Sequence, residues 1–284
     1  MSKLHLIDAV FDNYIQSIDN LKKQSRKTIS NCIVSVDKIK DTMLIKDCIL
    51  YVNDVCIFLA IPEHEMYYQI YYHITELNVL SENLSLLSFE FAPDLPLVCA
   101  VSGAKKDIDL YVSRFELSGF TLRRRMRRFA YLRSKKNDFS GYDGNNRSEF
   151  ASPDAAEEIL KILTSHFDVY TQAIPEISEI MEHAKKKQIP IIKIDGKIAA
   201  LLYYELHGNI LHSIFEVVVE EHRGKMFNIE LMAHRDDHLK DKKIKLMYGW
   251  RDMDNERLIK LGEFYAKRWG TYPGDRVTYT FFQK

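Results

Sequence analysis

A polar segment at residues 134–152 divides the sequence into two parts of nearly equal length. The segment, SKKNDFSGYDGNNRSEFAS, is rich in Gly, Asn, Ser and Asp and has little apolar periodicity, which is typical of a connection. A strongly β-like stretch precedes it, and Pro153 follows it as the opening residue of a helix, with Ser152 as the expected cap. A chain of 284 residues is long enough for two domains. We therefore predict domains at residues 1–135 and 153–284, joined by a linker at 136–152.

The composition is that of a folded chain, since 46% of the residues are apolar and 12% are aromatic. Basic and acidic residues balance at 40 each, so no overall charge attracts the chain to nucleic acid or to a membrane surface. No apolar run approaches the roughly 18–20 residues of a membrane span, and the N-terminus lacks the order of a signal peptide. The four cysteines lack CxxC spacing. We predict a cytoplasmic protein without a membrane span and disfavour nucleic acid as a partner, while a homodimer stays open.

The apolar patterns predict a similar order of elements in both parts. In the first part, we predict helices at 4–23 and 105–117 and strands at 48–52, 55–61, 66–74, 86–91, 97–102 and 121–133. In the second part, we predict helices at 154–167, 177–187, 228–241 and 255–268, strands at 189–194, 197–206, 211–219 and 244–249, and two short strands near 271–272 and 277–282. This order indicates an α+β fold, with a mixed, mostly antiparallel sheet flanked by helices in each domain.

The segment from Val217 to Asn228 leaves a strand, passes through Arg223, Gly224 and Lys225, and enters a helix. Backbone N–H groups at the start of a helix bind anions, and the helix dipole favours phosphate there. The side chains of Arg223 and Lys225 add positive charge at the same place. The sequence therefore predicts an anion site at this turn.

On these residues the chain resembles the GNAT (GCN5-related N-acetyltransferase) superfamily, whose strand–turn–helix motif holds the pyrophosphate of CoA. Downstream, the sequence KLMYGW at 245–250 is similar to the family's next strand. Asn255 and FYAKRWG at 264–270 are similar to its Asn…Tyr helix, and the resemblance covers residues 189–284. The first part ends similarly but has no Gly-rich loop after residues 66–74, which indicates a tandem arrangement with a degenerate N-terminal half.

The resemblance implies an acyltransferase that moves an acyl group from acetyl-CoA, or another acyl-CoA, to a small-molecule or peptide amine. It implies that Tyr265 protonates the departing thiolate, where the structural alternative is a tyrosine that packs its helix on the sheet. Glu216, on the strand before the loop, is a candidate to accept the proton of the amine, directly or through water, where the alternative is a side chain that faces solvent. The pantetheine should lie in the gap between the strands before and after the CoA-binding helix. The implied cofactor-binding residues are Val217, Val219, Arg223, Gly224, Lys225, Met226, Phe227, Asn228 and Asn255.

The chain departs from the family pattern at Met226 and Asn228, where the family has small residues that let the backbone approach the pyrophosphate. Asn255 also lies about one helical turn further from Tyr265 than the family spacing. Two other functions therefore stay open: an aminoacyl-tRNA-dependent transferase of the same fold, and a non-catalytic binding protein whose CoA loop has decayed. The arginine-rich strand at 123–128 either contacts RNA phosphates or protects a sheet edge from aggregation, and the pattern favours the second reading.

Other titratable side chains are candidates for a chemical role, and each has a structural alternative. Glu205, His212 and His222 lie on or near the strand that enters the loop and could act as bases, but a strand that alternates its faces also exposes such residues to solvent. His234 and His238 have the i, i+4 spacing of metal ligands. Asp236 and Asp237 lie between them, so the pattern favours a solvated helix face and no metal site.

Overall fold

The structure, a computed structural model, describes residues 3–25, 28–32, 34–90, 95–133, 139–140, 147–269 and 272–283, without the side chains at 3–9, 86–90, 261, 264–269, 272–273 and 275. The chain forms two compact units, Met1–Arg125 with Arg276–Lys284, and Met126–Asp275. Each unit therefore takes one strand segment from the other half of the sequence. The predicted domains, at 1–135 and 153–284, stay a prediction about which segments fold independently.

The first unit has a mixed sheet with helices packed on it. Its elements are α1 (Lys3–Gln24), β1 (Ile29–Ser30), α2 (Val36–Ile45), β2 (Ile49–Val52), β3 (Cys56–Glu63), β4 (Tyr67–Ile74), α3 (Leu77–Glu90), β5 (Leu97–Ala104), α4 (Lys105–Leu117), the first residues of β6 (Thr121–Leu132) and the last residues of β12 (Tyr272–Gln283). Strands β2, β3 and β4 are antiparallel, β4 and β5 are parallel, and β12 runs antiparallel to β5 along eight residue pairs. Helices α1 and α2 cover one face, where Tyr14, Ile39 and Ile57 are buried together.

The second unit has the same kind of sheet. Its elements are the last residues of β6, β7 (Ser148–Phe150), α5 (Ala156–His166), α6 (Ile177–Lys185), β8 (Pro190–Ile194), β9 (Lys197–His207), β10 (Ile210–Val218), α7 (Phe227–His238), β11 (Leu246–Asp252), α8 (Glu256–Trp269), and short 3-10 turns at Pro153–Ala155 and Glu220–His222. Strands β7, β8, β9 and β10 pair antiparallel in that order, and β10 pairs parallel with β11. Residues 126–132 of β6 then pair antiparallel with β11. The predicted α+β class with mostly antiparallel sheets is confirmed.

The two faces of the second sheet carry different helices. On one face, α5 and α6 bury Leu201, Phe215 and Val217. On the other face, α7 buries Leu202 with Phe227 and Leu231. Because β-strand side chains alternate between faces, this division shows which side of the sheet each functional residue occupies.

Local signals explain most of the element boundaries. The hairpin between β8 and β9 turns at Asp195 and Gly196, which both have positive φ, as a two-residue turn of this type requires. The Ser35 hydroxyl accepts a hydrogen bond from the Lys38 N–H and caps α2. Gly119, at φ 81°, follows α4 where that helix was predicted to end.

Two predictions of secondary structure are wrong. Residues 86–90, predicted as part of a strand at 86–91, lie in α3, while Phe91 lies outside the described residues. Leu80 and Leu84 are fully buried one helical turn apart, so packing of a helix face decides this segment. The two short terminal strands are one strand, β12, which includes Pro273. Strands β1 and β7 and helix α2 were not predicted.

Within the described residues, no helix combines the length and the apolar character that crossing a membrane requires.

Candidate functional site

The parallel strands β10 and β11 separate partway along their length. Their residues pair from Ile210 opposite Leu246 to Ser213 opposite Gly249, and no further. A bulge in the pairing of β10 with β9 falls between Ser213 and Phe215. A Cβ atom on Gly249 would lie 3.1 Å from the carbonyl oxygen of Ser213, so glycine permits the close approach at the last pair. Beyond that pair the two strands leave a gap, which ends at the loop before α7.

The loop that follows β10 presents a run of free backbone donors. The N–H groups of residues 224–228 form no backbone hydrogen bond with the described part of the chain, whereas the Met226 carbonyl already accepts from Ile229 and Glu230. Gly224, at φ 85°, and Met226, at φ 60°, turn these N–H groups out of the strand direction. Successive free N–H groups at a helix start form a concave anion-binding surface.

Charged side chains surround this loop and partly cancel one another. Arg223 lies 3.7 Å from Glu220, and both side chains are largely exposed. The Lys225 ammonium lies 3.0 Å from Nδ1 of His222. Because the acidic residues Glu220 and Glu221 precede the two basic residues, the backbone donors and the dipole of α7 carry more of the attraction for an anion than side-chain charge does.

Met226 occupies a position where the backbone favours glycine. It is the N-cap of α7, it has left-handed φ and ψ, and its side chain is 61% exposed. Its side chain therefore points away from the loop's backbone. The loop keeps the shape that a small residue would give it, at the cost of a strained backbone.

We predict that Met226→Gly raises the free energy of unfolding by about 0.5–1 kcal/mol. The left-handed conformation costs an L-residue about 1–2 kcal/mol, and the greater freedom of glycine in the unfolded chain offsets about half of that gain. Urea unfolding followed by circular dichroism measures the change. Met226→Ala is the matched control, because it keeps the Cβ atom and therefore the strain. A gain in stability for alanine equal to that for glycine would contradict this explanation.

Glu216 lies on the α7 face of the sheet, opposite the face on which Val217 is buried. Its side chain is exposed to solvent, yet groups from β10, β11 and α7 surround it. Desolvation by this surrounding protein raises the pKa of Glu216, and the charges of Arg251 and Arg235 and a hydrogen bond from Asn228 act against that increase. A carboxylate with a raised pKa at neutral pH is suited to accept a proton.

The structure brings most of the predicted site residues together around the loop, but not all of them. Val217 is buried against α5 and α6, on the face opposite Glu216, while Val219 packs on the α7 side and donates its N–H to the Ala199 carbonyl. Asn255 caps α8, since its Oδ1 accepts from the Leu258 N–H at 3.2 Å. Tyr265 lies in α8, with its side chain outside the described residues. The roles predicted for these residues stay predictions.

Sequence reasoning missed Arg147, which lies beside the first residue of α7. Its guanidinium carbon is 4.8 Å from the centre of the Phe227 ring, and its Nη2 is 3.2 Å from the carboxylate of Glu230. The backbone N–H of Arg147 also donates to Glu230. No motif marks this arginine, because it comes from the polar segment about 80 positions before α7.

The prediction of a solvated helix face around His234 and His238 is wrong in one respect. Asp236 is 1% exposed and forms an ion pair with Arg235, which is also 1% exposed, at 2.8 Å. The two histidines instead flank the ring of Phe150, at centroid distances of 4.4 and 4.8 Å. Burial lowers the pKa of both histidines.

In the first unit, the equivalent gap between parallel strands is filled by the chain itself. Strands β4 and β5 pair only at Tyr68 with Leu97 and at Gln69 with Val98. Strand β3 occupies one edge of β4 along its whole length. Strand β1 pairs with His73 and Ile74 of β4, so it must lie along the other edge, which faces β5. The following residue, Asn31, then bridges the two separated strands.

The side-chain amide of Asn31 uses both its donors and its acceptor within this gap. Its Nδ2 donates to the carbonyls of Ile70 on β4, at 2.9 Å, and Ala100 on β5, at 3.1 Å. Its Oδ1 accepts from the Tyr72 N–H. In addition, only two residues separate β4 from α3, so the first unit lacks a loop like that at 219–226.

Comparisons with solved structures identify the fold. A tandem GNAT protein from the clavulanic acid biosynthesis pathway matches with a TM-score of 0.59 at 9% identity, over 97% of this chain and 94% of that chain. A GCN5-related N-acetyltransferase from Sphaerobacter thermophilus matches with a TM-score of 0.58 at 10% identity, over 88% and 86%. One from Kribbella flavida matches with a TM-score of 0.53 at 13% identity, over 89% and 96%. No family model and no curated protein matches the sequence.

The chain therefore has the α+β fold of the GNAT acetyltransferases. More particularly, the match along 97% of its length shows the tandem form of that fold. The predicted resemblance to the GNAT superfamily is confirmed for the fold, which by itself does not establish an activity.

Proposed function

We propose that the second unit binds an acyl-CoA, with acetyl-CoA as the expected donor, and transfers the acyl group to an amine. The observation that carries this proposal is the row of free N–H groups at residues 224–228, placed where the gap between β10 and β11 ends. A pyrophosphate would bind these N–H groups together with Arg223 and Lys225. The pantetheine arm would then extend along the gap, whose five β10 residues span roughly 15 Å.

In the proposed reaction, a neutral amine attacks the thioester carbonyl. A C–N bond forms and the C–S bond breaks, while Glu216 takes a proton from the amine, directly or through water. Tyr265 is proposed to protonate the departing thiolate. The protein's contribution is to position the two substrates and to stabilise the charge that develops on the carbonyl oxygen. We assign the second task to backbone N–H groups of β10 beyond Ser213, where its pairing with β11 ends.

The first unit is proposed to bind no acyl-CoA, which is the sense in which the N-terminal half is degenerate. Residues 29–31 occupy its gap, and the acidic Glu76 precedes α3 where a phosphate loop would otherwise lie. One acyl-CoA per chain is therefore the expected stoichiometry.

We predict that Arg223→Ala weakens binding of acetyl-CoA by about 10- to 100-fold, since a hydrogen bond to a charged group contributes about 1.5–3 kcal/mol. Isothermal titration of the purified protein measures the dissociation constant and the stoichiometry. Glu220→Gln should act in the opposite direction, because it releases Arg223 from its ion pair. Lys161→Ala is the control, because it removes one exposed positive charge from α5, on the opposite face of the sheet.

Lack of binding by the wild-type protein would remove the acyl-CoA proposal. The strain at Met226 and the acids at 220 and 221 would then explain the loss of the phosphate site, and a non-catalytic binding function would account better for the retained fold. Two acetyl-CoA molecules per chain would contradict the proposal that the first unit is closed.

A further inference from the structure

A row of polar and aromatic side chains crosses the second sheet beside the point where β10 and β11 separate. Tyr248 on β11 stacks on His212 of β10, with ring centres 4.4 Å apart and planes 11° apart. The guanidinium carbon of Arg128, on β6, lies 5.7 Å from the ring centre of Tyr248. Glu205 on β9 is directly opposite His212 in the strand pairing. We name Arg128, Tyr248, His212 and Glu205 the cross-strand row.

The cross-strand row lies on the sheet face opposite Glu216 and α7. Leu211 and Tyr204 are buried on the α7 side, where they pack with Leu239 at the end of that helix. The next residues in each strand, His212 and Glu205, therefore point to the other face. His212 is one residue from Ser213, where the pairing of β10 with β11 ends, so the row reaches the closed end of the gap.

The row has a cation at one end and an anion at the other. Glu205 lies 3.0 Å from Nε2 of His207 and 3.7 Å from that of His183. At the other end, the Nε of Arg128 is shielded from solvent, and it has no hydrogen-bond partner among the residues that the structure describes. A shielded guanidinium nitrogen normally has a hydrogen-bond acceptor, and the planar donors of arginine suit a carboxylate.

The rings between these two charges stack on each other, so each ring has one face covered. Because Tyr248 and His212 stand side by side on neighbouring strands, the phenol oxygen and the imidazole nitrogens, rather than the ring faces, are available to a ligand. Burial lowers the pKa of His212, with His207 acting in the same direction and Glu205 against it. A neutral imidazole beside a carboxylate can accept hydrogen bonds from an ammonium group.

We propose that the cross-strand row binds the acceptor, and that the acceptor is a small molecule or peptide end carrying both an amine and a carboxylate. The carboxylate binds Arg128, and the amine lies between Glu205 and His212, at the closed end of the gap. Because Glu216 lies on the other face of the sheet, the amine proton reaches it through water in the gap, not by direct contact. This inference rests on the proposed acyltransferase function, because it assigns the second substrate of the same site.

The test uses pairs of small molecules that differ only in the carboxylate. The pairs are L-lysine with 1,5-diaminopentane, L-ornithine with 1,4-diaminobutane, and L-tyrosine with tyramine. Isothermal titration of the full-length protein measures the affinity for each compound, and a separate titration measures acetyl-CoA. We expect the amino acid of at least one pair to bind at least tenfold more tightly than its decarboxylated partner.

Variants at the two ends of the row test which residue contacts the carboxylate and which contacts the amine. Arg128→Met should remove the preference, and Arg128→Lys should retain part of it, because the charge stays while the planar two-point contact is lost. Glu205→Gln should weaken both members of a pair by a similar factor, since both carry the amine. Arg257→Met, which removes an exposed arginine of α8, is the matched control.

The outcomes separate this inference from the proposed function. Equal affinities within every pair, or no binding of any compound by a protein that binds acetyl-CoA, would overturn the acceptor class and leave the acyl-CoA site in place. A carboxylate preference that depends on Arg128, without acetyl-CoA binding, would support the row and overturn the acyltransferase proposal. Absence of both kinds of binding would overturn both.

Discussion

Asp236→Ala is expected to lower the free energy of unfolding by about 3–5 kcal/mol, the usual cost of removing one partner of a buried ion pair. Asp236 accepts a hydrogen bond from Nε of Arg235 at 2.8 Å and lies 2.8 Å from its Nη2, and both residues are 1% exposed. Its second oxygen accepts from the Phe139 N–H at 3.1 Å. Alanine would leave the guanidinium of Arg235 enclosed by the sheet without its counter-charge. Urea unfolding followed by circular dichroism measures the loss.

A double variant separates the cost of an unpaired charge from the cost of lost packing. Arg235→Met combined with Asp236→Ala should recover a large part of the stability, because no buried charge then lacks a partner. The neighbouring Asp237→Ala, an exposed position on the same helix, should change stability by less than about 0.5 kcal/mol. If the single Asp236 variant lost less than about 1 kcal/mol, the pair would not be buried as the structure describes.

Asn31→Ala is expected to lower the free energy of unfolding by about 3 kcal/mol or more. The substitution removes the Asn31 partner of the Ala100 carbonyl and of the Tyr72 N–H, at about 1–3 kcal/mol for each group that water cannot reach, and the shortest hydrogen bond to the Ile70 carbonyl. Asn31→Asp should cost at least as much, because a carboxylate would face two carbonyl oxygens. Thermal and urea unfolding both report this change.

The matched control for Asn31 is Asn13→Ala on α1, an exposed asparagine whose side chain accepts one hydrogen bond from Ser17 at 3.3 Å. Its stability should stay within about 0.5 kcal/mol of the wild type. An effect of Asn31→Ala as small as that of the control would show that the gap of the first unit is not held closed by this side chain. The reason for assigning the acyl-CoA site to the second unit alone would then be weaker.

The sequence was informative wherever a structural feature depends on neighbouring residues. The turn at Asp195 and Gly196 and the ends of α4 follow from backbone preferences that act within a few positions. The loop at 223–228 was predicted because strand, turn and helix succeed one another directly. In the structure, the N–H groups of residues 224–228 form no backbone hydrogen bond with the described part of the chain. These features required no knowledge of distant contacts.

The sequence was least informative about features that depend on residues far apart in the chain. Residues 86–90 belong to helix α3, because Leu80 and Leu84, one turn apart earlier in that helix, are buried in the core. Arg147 reaches Phe227 across about 80 positions, and Asp236 is buried by Arg235 and the sheet rather than solvated. In each case burial, which a local pattern does not determine, decided the outcome.

By itself, the sequence determined the α+β class, most elements and the position of the turn that precedes α7, because apolar periodicity and turn chemistry act locally. Only the tertiary structure decided which gap is filled by residues 29–31, which strand completes each sheet, and how Arg128 comes to lie near His212. Those relations arise from strand pairing between distant segments. Pairing partners are chosen by the packing of whole sheets against their helices, which no single stretch of sequence records.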